Sequence, residues 1–176
     1  MTIATDIEAR TDDVHREILA LLPPNLFDFS NLETGIEQLM QLLGAAPVEL
    51  PDSVQIDDHH VEAADGHDIM VRVYRPASAP APAAALYWIH GGGMILGEVS
   101  MNDAECAATA QALNIVVASV EYRLAPAFPY PVPLEDCYRG LAWLFASADS
   151  LGVDTGRIAI GGASAGGGLA AGVALA

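Results

Sequence analysis

The stretch RIAIGGASAGGG, residues 157–168, decides the fold of this chain. Its first four residues, 157–160, predict a buried strand, and residues 161–168 predict a turn built from small residues. The residues that follow begin a helix. A strand that passes through a tight turn into a helix is typical of α/β sheets. We therefore expect further strand and helix units on the N-terminal side of this turn.

Two more buried strands precede the turn. Residues 85–89 and 115–120 are continuous apolar runs, as expected for strands that are covered on both faces. Amphipathic or capped helical patterns occupy residues 102–113 and 134–148. This alternation predicts an α/β fold with a mostly parallel sheet and helices on both faces.

The N-terminal third has a different pattern. Residues 54–63 and 67–75 predict a β-hairpin, because a turn-forming Asp-Gly pair lies between them. Residues 3–22 and 31–44 predict two amphipathic helices, which form either a lid or an outer layer. The predicted regions are therefore a helical cap segment, residues 1–48, and an α/β domain, residues 49–176.

Composition excludes several classes of partner. Hydrophobic residues make up 52% of the chain, and 23 acidic residues outnumber seven basic ones, all of them arginine. A chain with a net charge of −16 repels nucleic acid and anionic lipid, so neither is an expected partner. The first residues lack the basic start of a leader sequence, which favours the cytoplasm. Residues 158–176 are uncharged over a membrane length, but glycine and alanine are too weakly apolar to insert well.

Residues 162–166 form a G-x-S-x-G motif directly after a predicted strand. A serine nucleophile on a sharp strand-to-helix turn needs small neighbours two positions away, which Gly162 and Gly166 provide. The helix that starts at Ala165 directs its free N–H groups toward the serine. The pattern predicts that Ser164 is a nucleophile. The alternative is a small-residue packing site on a helix.

A second glycine motif, His90-Gly91-Gly92-Gly93, follows the strand at 85–89. A glycine run in this position turns backbone N–H groups toward a developing oxyanion. The alternative is a flexible loop that happens to contain a histidine. The two motifs occur in the order that acyl-transfer chemistry requires, and each follows a predicted buried strand.

These motifs resemble the hormone-sensitive-lipase-like family of carboxylesterases, which have the α/β-hydrolase fold. The resemblance covers about residues 50–176 and rests on four blocks, which are His90–Gly93, Tyr122–Pro126 with Pro129–Pro131, Glu135-Asp136 and Gly162–Gly167. It implies that Ser164 is the nucleophile and that the N–H groups of Gly92, Gly93 and Ala165 form the oxyanion hole. His90 and Gly91 then shape the loop, and His90 is not the general base.

The same resemblance implies a small ester substrate of short or medium acyl length and no cofactor. The chain departs from the family at two positions, because Ala163 stands where the family has Asp and Ala127 where it has Glu. Both departures remove supporting polar contacts.

The general base is absent from the sequence after the nucleophile. In this fold the triad runs Ser, then Asp or Glu, then His. The twelve residues after Ser164, AGGGLAAGVALA, contain none of these. We therefore expect the chain to be the N-terminal half of the fold, truncated after the nucleophile elbow and inactive alone. The strand at 157–160 should then be an exposed edge that further chain or a partner covers.

Other histidines and glycines have plainer explanations. His59, His60 and His67 lie on the predicted hairpin with several aspartates, where a solvated face is favoured over a surface metal site and over a catalytic base. Residues 166–171 match a dinucleotide-binding pattern, but its acidic partner would fall outside the sequence. No metal and no cofactor are therefore expected.

Three functions remain compatible with the motifs. The first is hydrolysis of carboxylic esters through an acyl-Ser164 intermediate. The second is a catalytically dead pseudoenzyme or receptor that binds a small apolar ligand. The third is amidase or formamidase chemistry, which uses the same acyl-transfer site.

Overall fold

The computed structural model describes residues 10–21, 34–37 and 50–176. The chain divides into two compact units, Met1–Leu43 and Gly44–Ala176. In the first unit the described residues form helix α1 (Asp13–Leu21) and a short helical stretch at 34–37. α1 falls within the helix predicted over 3–22. Most of the helix predicted over 31–44 lies outside the described residues.

The second unit contains five strands and four α-helices in its described part. In chain order they are β1 (Val54–Glu62), β2 (Asp68–Pro76), β3 (Ala83–Ile89), α2 (Asp103–Leu113), β4 (Val116–Glu121), α3 (Val132–Ala146), α4 (Ala148–Leu151), β5 (Val153–Gly162) and α5 (Ala165–Leu175). A 3₁₀ turn, Val99–Asn102, precedes α2.

The strands form one sheet in the order β1-β2-β4-β3-β5. β2 runs antiparallel to both of its neighbours, and β3 runs parallel to β4 and β5. β1, β3, β4 and β5 therefore point in one direction, and the predicted mostly parallel sheet is confirmed. β3 and β5 end side by side, with Ile89 opposite Gly162. The segments that follow these two strands must therefore leave the sheet at the same end, where the carboxyl ends of the strands lie.

Helices cover both faces of the sheet. On one face, buried residues of β3 and β4 such as Tyr87 and Val120 pack with Leu144 of α3 and Leu169 of α5. On the other face, Val117 of β4, whose side chain points the opposite way from that of Val120, packs with α2. Successive residues of β4 thus point to opposite helical layers, which explains why this strand is apolar throughout.

β5 differs from its prediction in extent and burial. It begins at Val153, which pairs with Ala83 across an irregularity in the ladder, rather than at Arg157. The prediction of a strand buried on both faces is wrong for Arg157 and Ala159, which are exposed. The reason is position, since β5 lies at the edge of the sheet in the described part and pairs with β3 alone.

Within the described ranges, no helix combines the length and the apolarity that crossing a bilayer requires. This finding includes α5, whose sequence carries no charge.

Candidate functional site

Ser164 stands on a strained turn between β5 and α5. We name residues 162–166 the serine turn. The backbone of Ser164 has φ +50° and ψ −115°, and the residue is exposed. A positive φ is uncommon for a residue with a side chain and costs conformational energy, so the surrounding structure must hold it in place. The turn holds a single hydroxyl-bearing side chain outward at the end of a strand.

The glycines of the serine turn are required by close backbone contacts. A Cβ atom on Gly162 would lie 2.5 Å from the carbonyl carbon of Gly166. A Cβ atom on Gly166 would collide with the carbonyl oxygen of Ile89 at the end of β3. These two positions therefore admit no side chain, which is the physical reason for the G-x-S-x-G spacing here.

The glycine motif begins a second turn at the same end of the sheet, after the carboxyl end of β3. We name residues 90–99 the glycine loop. Gly92 and Gly93 have φ values of +112° and +65°, and Met94 also has a positive φ of +63°. The N–H groups of Ile95 and Leu96 donate to the carbonyl of Gly92 at 3.1 and 3.0 Å. The loop is therefore a tightly wound turn rather than an open connection.

The glycine loop and the serine turn are in contact. The N–H of Ala163 donates to the carbonyl of Ile89 at 3.1 Å. A Cβ atom on Gly91 would lie 2.9 Å from the carbonyl oxygen of Ala163 and 3.5 Å from Cβ of Ser164. The first glycine of the loop thus packs directly against the turn that carries the serine, and the two sequence motifs lie together.

His90 is a buried member of the glycine loop. The residue is 1% exposed, and its ring stacks on Tyr122, with ring centroids 4.2 Å apart and an interplanar angle of 13°. Its Nδ1 lies 2.7 Å from the carbonyl oxygen of Gly91. Burial lowers the pKa of His90, so the ring is neutral. A carbonyl only accepts, so Nδ1 carries the proton.

The general base that Ser164 would need is not among the described residues that contact it. His90 is engaged with Gly91 and Tyr122, and the Ser164 hydroxyl makes no hydrogen bond to another described residue. His60 pairs with Asp68 at 2.7 Å, and His59 lies against Trp143. In the part of the chain that is described, no three His, Cys, Asp or Glu side chains are grouped to hold a metal ion.

Sequence reasoning missed the role of the last residue of β4 and the residues that follow it. We name residues 121–125 the clamp segment. The N–H of Ala125 donates to the carbonyl of Met94 at 2.8 Å, and the N–H of Val99 donates to the Glu121 carboxylate at 2.7 Å. Burial raises the pKa of Glu121. The available signal was polar side chains at the carboxyl end of a buried strand, next to the strand that leads into the glycine loop.

Arg123 in the clamp segment forms a buried ion pair with Asp136 of α3. Its Nε and Nη2 donate to the two carboxylate oxygens at 2.8 and 2.7 Å, and its backbone N–H donates at 3.0 Å. These hydrogen bonds raise the pKa of Arg123 further above its usual range. A cleft of about 460 Å³ adjoins the pair, but Ser164 does not line it. The cleft is therefore separate from the serine turn.

Comparison with known proteins places these features in a family. A family model for the α/β-hydrolase fold matches residues 86–176. Esterase LipI of Mycobacterium tuberculosis is 33% identical over 172 residues, which is 96% of this chain and 52% of LipI. The ethyl acetate hydrolase of Pseudomonas putida is 36% identical over 152 residues, which is 85% of this chain and 47% of that enzyme.

A solved structure gives the same assignment. The bacterial heroin esterase superposes with a TM-score of 0.82 at 40% identity, over 90% of this chain and 50% of that protein. The chain spans about half the length of the curated relatives it matches. The matched family model, the sequence identities to the relatives and the five-stranded sheet all indicate the same fold. The chain belongs to the hormone-sensitive-lipase-like carboxylesterase family of the α/β-hydrolase fold.

Proposed function

We propose that this protein hydrolyses carboxylic esters of short or medium acyl length, with Ser164 as the nucleophile. The observation that carries the proposal is the contact between an exposed serine on a strained turn and a glycine loop, both of which lie at the carboxyl end of the parallel strands. The two relatives described above are named as an esterase and an ethyl acetate hydrolase, which supports ester chemistry for this chain.

The first half of the proposed reaction is acylation. The Oγ of Ser164 attacks the ester carbonyl carbon and loses its proton to a base, and the carbonyl oxygen becomes an oxyanion. The N–H groups of Gly92, Gly93 and Ala165 stabilise this charge, because fixed dipoles in the site cost no reorganisation as the charge develops. The tetrahedral intermediate then expels the alcohol, which takes up the proton, and leaves acyl-Ser164.

The second half is hydrolysis of the acyl-enzyme. A water molecule attacks the acyl carbon, the same N–H groups stabilise the second oxyanion, and the carboxylic acid leaves as the Ser164 hydroxyl regains its proton. The reaction needs a histidine and an acid to move these protons. We propose that both come from outside residues 1–176, from further chain or from a partner. That polypeptide would also cover the open edge of β5.

Covalent labelling tests the nucleophile. The protein expressed from its natural reading frame is treated with a fluorophosphonate, which traps an activated serine, and the modified peptide is found by mass spectrometry. We expect labelling at Ser164, loss of labelling in Ser164→Ala, and retained labelling in Ser150→Ala. Ser150 is the matched control, because its hydroxyl is exposed and donates only to the carbonyl of Ser147. Equal labelling of the Ser164→Ala variant and the parent would overturn the proposal.

A substrate panel tests the reaction class. p-Nitrophenyl esters of increasing acyl length are compared with the matching p-nitroanilides at the same concentrations. We expect ester turnover to exceed amide turnover, and both to be lost in Ser164→Ala. Faster turnover of the anilides would indicate an amidase. Retained ligand binding without labelling or turnover would indicate a pseudoenzyme of the same fold.

A further inference from the structure

The clamp segment holds the glycine loop along its whole length. Three hydrogen bonds join the two, at the start, the middle and the end of the loop. The bonded pairs are Tyr122 with His90 (3.0 Å), Ala125 with Met94 (2.8 Å) and Glu121 with Val99 (2.7 Å). The ring stack of His90 on Tyr122 adds an apolar contact at the start. The position of the loop therefore follows the position of the clamp segment.

Arg123, in the middle of the clamp segment, fixes that segment to α3. The side chain of Arg123 is 10% exposed, and that of Asp136 is 1% exposed. The Asp136 carboxylate accepts hydrogen bonds from three N–H groups of Arg123, one of them in the backbone. Its remaining guanidinium nitrogen, Nη1, donates to Asp65 in the β1–β2 turn at 2.6 Å. The clamp segment is thus attached at its centre to a helix and to a hairpin, in addition to its continuity with β4.

We propose that Arg123 is a positioning residue for the hydrolytic reaction. Through Asp136 it holds the clamp segment, and the clamp segment holds the glycine loop where its N–H groups meet the oxyanion. Arg123 forms no hydrogen bond to the glycine loop or to Ser164, so its effect is indirect. This inference rests on the proposed function, because the loop must act on the oxyanion for its position to matter.

The geometry of the ion pair makes the arginine specific. A guanidinium presents a planar fork that matches both oxygens of a carboxylate, whereas a lysine ammonium is a point charge on a flexible stem. Arg123→Lys keeps the positive charge but loses the two-pronged contact with Asp136. We expect the clamp segment to shift, and small displacements of groups that stabilise a transition state reduce rates strongly.

The test separates kcat from KM. The protein expressed from its natural reading frame is compared with Arg123→Lys and Asp136→Asn on a p-nitrophenyl ester, at a temperature well below the melting temperature of each. We expect kcat to fall by about ten-fold or more, with KM within about two-fold of the parent. The oxyanion exists only in the transition state and the intermediates. Weaker stabilisation of the oxyanion therefore lowers kcat and leaves substrate binding unchanged. The rate of fluorophosphonate labelling should fall in parallel with kcat.

Arg75→Lys is the matched structural control. Arg75 is also partly buried, but its Nη2 donates to the carbonyls of Leu151 and Gly152, at the opposite end of the sheet from the serine turn. We expect this variant to lower the melting temperature and to leave kcat within about two-fold of the parent. A loss of kcat in Arg75→Lys as large as in Arg123→Lys would overturn the inference, since a general loss of stability would then explain both.

The Ser164→Ala variant distinguishes the two proposals. If Ser164→Ala keeps the labelling and the turnover of the parent, the proposed function fails whatever Arg123 does. If Ser164→Ala abolishes both and Arg123→Lys retains the kcat of the parent, the proposed function stands and the positioning role of Arg123 is refuted.

Discussion

Single atoms decide what α5 accepts at its start. Gly166 and Gly168 lie in the same turn of the helix, yet a Cβ on Gly166 would meet the backbone of Ile89 and His90, whereas a Cβ on Gly168 would meet nothing within 4 Å. A glycine in a helix is destabilising relative to alanine unless space forbids the methyl group. Only the first of these two glycines has such a reason.

We therefore predict opposite signs for two alanine substitutions. Gly168→Ala should raise the free energy of unfolding by about 0.5–1 kcal/mol, because alanine favours the helix. Gly166→Ala should lower it by about 3 kcal/mol, because the backbone of β3 cannot move away without disturbing the sheet. Urea denaturation of both variants measures the difference. Equal effects would mean that the serine turn is looser than the contacts of Gly166 indicate.

The buried histidine of the glycine loop gives a second prediction at this scale. Burial lowers the pKa of His90, so the folded protein holds its ring neutral at a pH where the unfolded chain binds a proton. The contribution of His90 to stability is therefore present above its unfolded pKa, about 6.5, and is lost as the pH falls through the lowered folded value.

The free energy of unfolding should thus decrease from pH 7 to pH 5, and His90→Asn should flatten this dependence. Urea denaturation at pH 5, 6 and 7 measures it. His67→Asn is the control, because it removes an exposed histidine of the hairpin. Parallel slopes for His90→Asn and the parent would argue against a neutral buried ring.

At the scale of elements, α3 approaches β3 through one glycine and one tyrosine. The hydroxyl of Tyr87 donates to the carbonyl of Cys137 at 2.9 Å, and Gly140 faces that same hydroxyl with no room for a methyl group. After the hydroxyl, the nearest atom to a Cβ on Gly140 is Cγ2 of Val120, at 3.2 Å. The phenol oxygen of Tyr87 is thus the main obstacle to a side chain at position 140.

A double-mutant cycle tests this packing. Tyr87→Phe alone should cost about 1 kcal/mol of unfolding free energy, because a buried carbonyl loses a donor. Gly140→Ala should cost about 1–3 kcal/mol in the parent and clearly less in the Tyr87→Phe background, because the colliding oxygen is gone. Tyr138→Phe on the exposed side of α3 is the control and should change little. Additive costs would show that the hydroxyl is not the obstacle.

The elements themselves were largely predictable, whereas their arrangement was not. Apolar runs at 85–89 and 115–120 predicted β3 and β4, because a strand buried on both faces has no polar alternation. Strand order depends on pairing between distant segments, so nothing local indicates that β2 lies between β1 and β4. The ion pair of Arg123 with Asp136 was missed for the same reason, because an irregular loop separates them and its course is set by packing.

The candidate site was predictable to the extent that backbone geometry dictates sequence. Close approach at Gly162 and Gly166 leaves glycine as the only choice, so the spacing around Ser164 was informative. The clamp segment acts partly through backbone groups, such as the N–H of Ala125, and any residue except proline supplies these. Its backbone contacts with the glycine loop therefore leave little trace in the sequence, whereas the contacts made by the Tyr122 hydroxyl and the Glu121 carboxylate depend on side chains.

At the scale of the whole molecule, charge is the dominant long-range feature. The chain carries a net charge of −16, and its seven arginines are partly used in ion pairs such as those of Arg72 and Arg123. The excess carboxylates repel one another in the compact state more than in the expanded one. Salt screens exposed charges more than the less accessible ion pairs.

We therefore predict that salt stabilises the protein. The melting temperature should rise by a few degrees as NaCl increases from about 20 mM to about 500 mM, because the Debye length falls below the spacing of most surface charges. KCl at equal concentrations controls for ion-specific effects and should give the same rise. A decrease in both salts would mean that ion pairs contribute more to stability than repulsion removes.

The face-to-face stack of His90 on Tyr122 provides a built-in spectroscopic marker. Protons held above the centre of an aromatic ring experience its ring current, so the carbon-bound imidazole protons of His90 should resonate upfield of those of the exposed histidines. Any displacement of the loop away from β4 would separate the two rings and move these signals toward ordinary chemical shifts. Proton magnetic resonance can thus follow the position of this loop in solution without an introduced label.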